Sequence, residues 1–154
     1  MTQGLSGCHE TRGFDLDRFV AAQSPVIDRA LAELRAGEKR SHWMWFVFPQ
    51  MAGLGHSPTA QRFALSGPSE ARAYLAHDML GPRLLDATRA VLGHRDRSLH
   101  AIFGAPDDLK FISCMTLFSQ VADDAHPEFR RALDSFNTGK PDRRTLELIG
   151  RRPG

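Results

Sequence analysis

Apolar residues recur along this chain mostly at helical spacing. Leu16, Phe19, Val20, Ile27, Leu31 and Leu34 fall largely three, four or seven apart, which predicts helix from near Phe14 to Gly37. Asp15 is the expected cap, and Phe14 and Phe19 have the spacing of a hydrophobic staple. Ser24–Pro25 reads either as a kink or as the cap and first residue of a second helix. The run Trp43-Met44-Trp45-Phe46-Val47-Phe48 departs from this pattern. Both its faces are apolar, so it must be buried, and periodicity does not separate a strand from two helical turns stopped before Pro49. A strand needs a partner and no second convincing one exists, so a helical or extended buried segment is expected.

Beyond this run, punctuation residues mark one short helix after another. Ser57–Pro58 opens one to about Leu65, and Ser66-Gly67-Pro68-Ser69 opens the next, marked by Ala71, Tyr74 and Leu75. Met79 to Leu92 keeps helical spacing across a potential break at Gly81–Pro82, and Gly93 ends it. Ser98 caps a brief helix that Gly104 stops. Pro106-Asp107-Asp108 opens a longer helix whose apolar face is broad enough to make it central. Pro127 is the expected first residue of a helix through Phe136, and Asp142 caps a last turn or two through Ile149. The pattern predicts an all-α fold, a single compact domain of seven to nine short helices over residues 14–150. Residues 1–13 form an expected disordered N-terminal segment, and the tail 151–154 is expected to fray.

Composition narrows the classes of function. The 154 residues are 42% hydrophobic and 25% charged, the profile of one ordinary globular domain. Twenty basic against 18 acidic residues leave a net charge of +2, so neither a nucleic-acid partner nor a polybasic membrane anchor is expected. The longest apolar run is far short of the roughly 20 residues a membrane span needs. Residues 1–13 lack the apolar stretch of a signal peptide, so a cytoplasmic protein is expected. Cys8 and Cys114 form no CxxC pair and fit a reducing compartment, with Cys114 reading as a small core residue. The chain has no phosphate-binding loop, dinucleotide fingerprint, nucleophile elbow or paired-histidine metal motif, so neither a cofactor nor a metal is expected.

Several stretches are specific in combination. They are Glu33-Leu34-Arg35-x-Gly37, then Lys39-x-Ser41-His42-Trp43-Met44-Trp45-Phe46-x-Phe48-Pro49-Gln50, then Gly53-Leu54-Gly55. Ser57-x-x-Ala60-x-Arg62-x-Ala64, Glu70-Ala71-Arg72-x-Tyr74-Leu75 and the segment Phe103 to Phe118 complete the set. Together they resemble the bacterial domain-of-unknown-function 1810 family, over about Phe14 to Ile149. The resemblance implies a mainly α-helical fold and no established activity. Some relatives carry the label calpastatin, whereas calpain inhibitors are extended disordered chains and this composition is that of a compact globule.

Three segments carry residue types suited to a ligand. Gly53, Gly55, Ser57 and Thr59 form a glycine-containing loop running into a helix start, with Arg62 one turn on, an arrangement that can hold an anion. Its other reading is an ordinary capped helix after a turn. Trp43 and Trp45 can stack on a base or sugar, and Lys39, Ser41 and His42 before them are expected at a pocket rim, with Gln50 beyond them. The alternative makes both tryptophans core residues with internally bonded indoles. Lys110, Ser113 and Thr116 can share a stripe of the long helix, beside Asp107 and Asp108, which are either first-turn acids or a general acid/base pair. The leading expectation is a pocket for a small anionic molecule, such as a nucleotide or nucleotide-sugar, where the three segments converge. His42, Arg62 and Lys110 would then share one cavity. The rivals are a hydrolase or transferase using His42 or Asp107/Asp108, and a pocketless protein-interaction module. No catalytic residue and no oligomeric state is assigned.

Overall fold

The computed structural model describes residues 13–151, for Arg151 the backbone alone. The expected N-terminal segment lies outside the described residues except for Gly13, as do Cys8 and residues 152–154. Among the described residues there are ten helices: α1 (Asp17–Gln23), α2 (Ile27–Ala36), α3 (Met44–Val47), α4 (Pro58–Arg62), α5 (Pro68–Ala76), α6 (Leu80–Leu92), α7 (Leu99–Phe103), α8 (Asp107–Val121), α9 (Glu128–Asn137) and α10 (Arg143–Arg151). The fold is all-α. Its helix count exceeds the expected seven to nine because the chain breaks at Ser24–Pro25 and the aromatic run makes a helical turn of its own.

α8 is the centre. Residues Phe111 to Phe118 are all buried, which only a helix covered on every side can achieve. It packs against α5, α7, α9 and α10, while α6 packs against α2, α3, α5 and α9. Aromatic contacts run through the core from α3 to α9. Phe48 meets Phe111 edge-on at 5.1 Å, Tyr74 meets Phe118 at 5.6 Å, and Phe118 meets Phe129 at 5.5 Å. Such ring pairs add about 0.5–1.5 kcal/mol each beyond their burial. Cys114 lies fully buried on α8, where burial pushes its thiol pKa up.

Local chemistry explains most boundaries and corrects several. Ser57 and Ser98 cap their helices, accepting from the amides of Ala60 and Ala101 at 3.1 and 3.0 Å. Asp15 is not the cap of α1, which starts two residues later with Leu16 at the N-cap position. The Arg18 guanidinium organises this start instead, donating to the carbonyls of Asp15, Arg62 and Ala64 and to the Glu70 carboxylate. α4 stops at Arg62 rather than Leu65, because Leu65 is drawn into a parallel bridge with Met51. There the Leu65 amide donates to the Gln50 carbonyl, and the Ala52 amide donates to Leu65, both at 2.8 Å. Within Ser66-Gly67-Pro68-Ser69 it is Gly67 that takes the N-cap position of α5, and the Glu70 carboxylate accepts from both the amide and the hydroxyl of Ser66. Gly81–Pro82 does not break α6, since Pro82 falls in the first turn, where its missing N–H is no loss. Gly81 lets α5 pass closely: a Cβ there would lie 2.1 Å from the Leu75 carbonyl oxygen. Pro127 is the N-cap residue of α9 rather than its first residue.

Candidate functional site

The site is built outward from the end of α2. Gly37 takes φ +83°, a left-handed conformation open to glycine, and its amide and that of Glu38 close the helix onto Leu34 and Glu33. The chain then turns back over the buried Glu33 side chain. That carboxylate accepts from the Arg40 amide at 2.9 Å, the Ser41 amide at 3.2 Å, the Ser41 hydroxyl at 2.7 Å and the Trp43 indole N–H at 2.9 Å. Burial pushes the Glu33 pKa up, but these four donors outweigh it and bring it down to about 2. One carboxylate therefore shapes the 40–43 segment. The Lys39 amide adds a bond to the Ile102 carbonyl at 2.7 Å.

α3 follows as a single turn. It ends at Val47 because Phe48, the residue before Pro49, is steered out of the helical region. Its Phe46 carbonyl is held from behind by Gln23 Nε2 at 2.6 Å, and Gln23 also donates to the buried Tyr74 hydroxyl at 2.8 Å. The aromatic segment is thus clamped on both sides, by Glu33 before it and Gln23 beneath it.

Between α3 and the start of α8 lies a half-open cleft of about 290 Å³. Trp43, Met44, Trp45 and Phe46 supply its apolar surface; Lys39, His42, Thr59, Asp107 and Lys110 supply its polar groups. The Asp107 carboxylate bridges two cations. Lys39 Nζ lies 2.9 Å from one oxygen and Lys110 Nζ 3.0 Å from the other. Burial raises the Asp107 pKa, and the bonds from Lys39 and Lys110 more than reverse this, leaving it below the usual carboxylate range. Each ammonium also lies over an indole, Lys39 at 5.2 Å from Trp43 and Lys110 at 4.0 Å from Trp45. The Lys39 side chain is only 8% exposed, that of Lys110 20%. Lys110 is the more accessible cation, and His42 stands exposed at the rim.

The structure brings together seven of the residues singled out in the sequence: Lys39, His42, Trp43, Trp45, Thr59, Asp107 and Lys110. The others lie elsewhere. Arg62 does not line the cleft, so the expected cavity shared by His42, Arg62 and Lys110 does not form; its guanidinium covers the Phe63 ring at 5.2 Å. Ser41 is turned to Glu33, and Ser57 is occupied as a cap. Gly53 packs against Leu148, and Gly55 lies against the Trp45 indole and Ala60. Gln50 is buried, with no partner for its side-chain nitrogen. Ser113 and Thr116 face α10 rather than sharing a stripe with Lys110. Asp107 was expected only as a helix-start acid or proton carrier; its place between two lysines is set by the long-range approach of Lys39. Glu33 was missed as an organiser. Its signal was a carboxylate beside the apolar stripe of α2, three residues past buried Ala30 and next to buried Leu34.

A second concavity, of about 510 Å³, lies between α6 and α9. Arg89, Arg95 and Arg131 line it against Glu128 and Asp134. Arg89 already bonds Glu128 at 2.9 Å. Burial raises the Glu128 pKa, but hydrogen bonds from its own backbone N–H and from Arg89 bring it below its ordinary value. Arg95, Arg131 and Asp134 are exposed, as solvated surface charges are.

Comparison with known proteins agrees with the fold. The profile of the protein-of-unknown-function family DUF1810 matches residues 13–149. The crystal structure of the conserved hypothetical protein Rv1873 from Mycobacterium tuberculosis is similar, with a TM-score of 0.86 and 53% identity over 89% of this chain and 97% of that one. No curated protein matches the chain. Among the described residues, no helix is long and apolar enough to cross a membrane, and no cluster of side chains is suited to a metal ion.

Proposed function

We propose that this chain, which belongs to the DUF1810 family of proteins of unknown function, binds a small anionic molecule in the cleft between α3 and α8. The observation that carries the reading is the pairing of two lysines with one carboxylate. Lys39, Lys110 and Asp107 together leave one positive charge on the wall of a half-open, aromatic-sided cleft. A desolvated surplus charge favours a ligand of opposite sign, and Lys110 keeps ammonium donors beyond the one spent on Asp107. Concave, mostly apolar sites with a few convergent polar groups are where small molecules bind. Nucleotides and nucleotide-sugars are the ligand classes expected from the sequence.

A hydrolase or transferase reading needs His42 paired with a carboxylate inside the cleft. The histidine–carboxylate pair among the described residues is instead His100–Asp108, at 3.8 Å. A pocketless interaction module needs a contiguous exposed apolar patch, whereas the exposed large apolar side chains, Met79 and Leu109, lie on different stretches of chain. The test is titration of small anions into the full chain, followed by the indole N–H resonances in NMR. Saturable movement of the Trp45 signal that Lys110→Met abolishes supports the reading. Absence of any saturable anion response up to about 10 mM, an affinity of only ~3 kcal/mol, contradicts it.

A further inference from the structure

We infer that the α3–α8 cleft selects a monoanion with a compact apolar body, a small aryl or alkyl carboxylate, over nucleotides and sugar phosphates. The inference deepens the anion-binding reading above and rests on it. Charge is the first argument. Two ammonium groups against one carboxylate leave a single positive charge, which one carboxylate neutralises. A nucleoside diphosphate would bring several negative charges to a site with one to match them, and the excess would lose hydration without a partner.

Hydrogen-bonding capacity is the second argument. Apart from the ionised cluster, the polar side chains at the cleft are Thr59 and His42, and its walls are Met44, Trp45 and Phe46. A ribose or hexose would press its hydroxyls against surface that offers them too few partners, and unmatched buried hydroxyls are costly. A benzene ring or short alkyl chain meets no such penalty on the same walls.

Stacking is the third. Both indoles that could receive a base already carry an ammonium over the ring, Lys110 on Trp45 at 4.0 Å and Lys39 on Trp43 at 5.2 Å. Trp43 is also only 1% exposed. The volume agrees: 290 Å³ lies just below the roughly 300–1,000 Å³ typical of ligand pockets. In the bound state the carboxylate would accept from Lys110, and the apolar body would lie along the half-exposed Phe46 and the edge of Trp45.

The experiment titrates benzoate, phenyl phosphate, ADP and uncharged benzyl alcohol into the full chain near neutral pH, for wild type and Lys110→Met. Affinity is read by NMR or calorimetry. Lys110→Gln serves as a second variant should the methionine form fail to fold. The expected result is benzoate bound at least about tenfold more tightly than the other three, with a loss of about tenfold or more in the variant. ADP or phenyl phosphate binding as tightly as benzoate, with the same dependence on Lys110, overturns the selectivity and leaves the anion site standing. Binding of none of the anions, or binding indifferent to Lys110, removes both readings.

Discussion

Two polar clusters sit on α8 within a turn or two of each other, and they are completed in opposite ways. At Ser113 and Thr116 the protein supplies the partners. The Asp142 amide donates to the Thr116 hydroxyl at 2.8 Å, and the Asp142 carboxylate accepts from the Thr145 amide and hydroxyl at 3.0 and 2.5 Å and from Ser113 at 3.3 Å. Thr116 and Thr145 are fully buried, so this cluster is a closed staple joining α8 to α10. At Asp107 and Lys110 the accounting does not close. One carboxylate serves two ammonium groups, each lysine keeps donors in reserve, and the group opens on a cleft. Side chains of similar polarity on one helix are thus partnered in two ways. What separates them is whether charge and hydrogen bonds are used up within the protein.

The largest effect is expected where the open cluster meets the core. Trp43→Ala should destabilise by about 3–5 kcal/mol in denaturant titration, since it removes a buried indole and one of the three donors to Glu33 Oε1. A loss under about 1 kcal/mol would mean that the cleft floor is not core. Glu33→Ala should cost about 2–3 kcal/mol by leaving buried donors unpaired. Its titration gives a separate check. The folded pKa of Glu33 is lowered from 4.5 to about 2, so its stabilisation is complete above pH 4.5 and is lost as pH falls towards 2. Glu33→Gln should lack that part of the acid-unfolding profile, and an unchanged profile would remove Glu33 from the role given to it.

The staple and the open cluster can then be set against each other directly. Asp142→Ala should cost about 1–3 kcal/mol and leave anion binding intact. Lys110→Met should change stability by only about 1 kcal/mol or less, because a half-open ion pair contributes little, and should remove the binding. Exchanged outcomes, with Asp142 controlling the ligand and Lys110 the stability, would invert the comparison.

Much of the fold was legible because its signals are local. Ser57 and Ser98 cap where a hydroxyl beside a helix start is expected to cap, Gly37 and Gly104 stop helices by their conformation, and the unbroken apolar face of α8 marks it as central. Asp15 looked like a cap by the same logic, but Arg18 reaches across to Arg62, Ala64 and Glu70 and sets that corner by tertiary contact. The lining of the candidate cleft was legible in half. Residues flanking the aromatic run reach the cleft because the run itself must be buried and carries its neighbours along. Arg62 and Ser113 lie one turn from residues that face it, and which face a side chain takes depends on partners distant in sequence. Ser113 is held to Asp142, 29 positions away, and Lys39 reaches Asp107 because the turn after α2 is tied to the Ile102 carbonyl of α7, which leads into α8.

The most direct test of a charge-surplus cleft is anomalous diffraction from crystals of the protein grown with 4-bromobenzoate. The expected map has one bromine peak against Phe46 and the edge of Trp45, with the carboxylate about 3 Å from Lys110 Nζ. A peak in the arginine-lined groove between α6 and α9 with none in the α3–α8 cleft, or no peak at a ligand concentration that saturates the solution response, would contradict it.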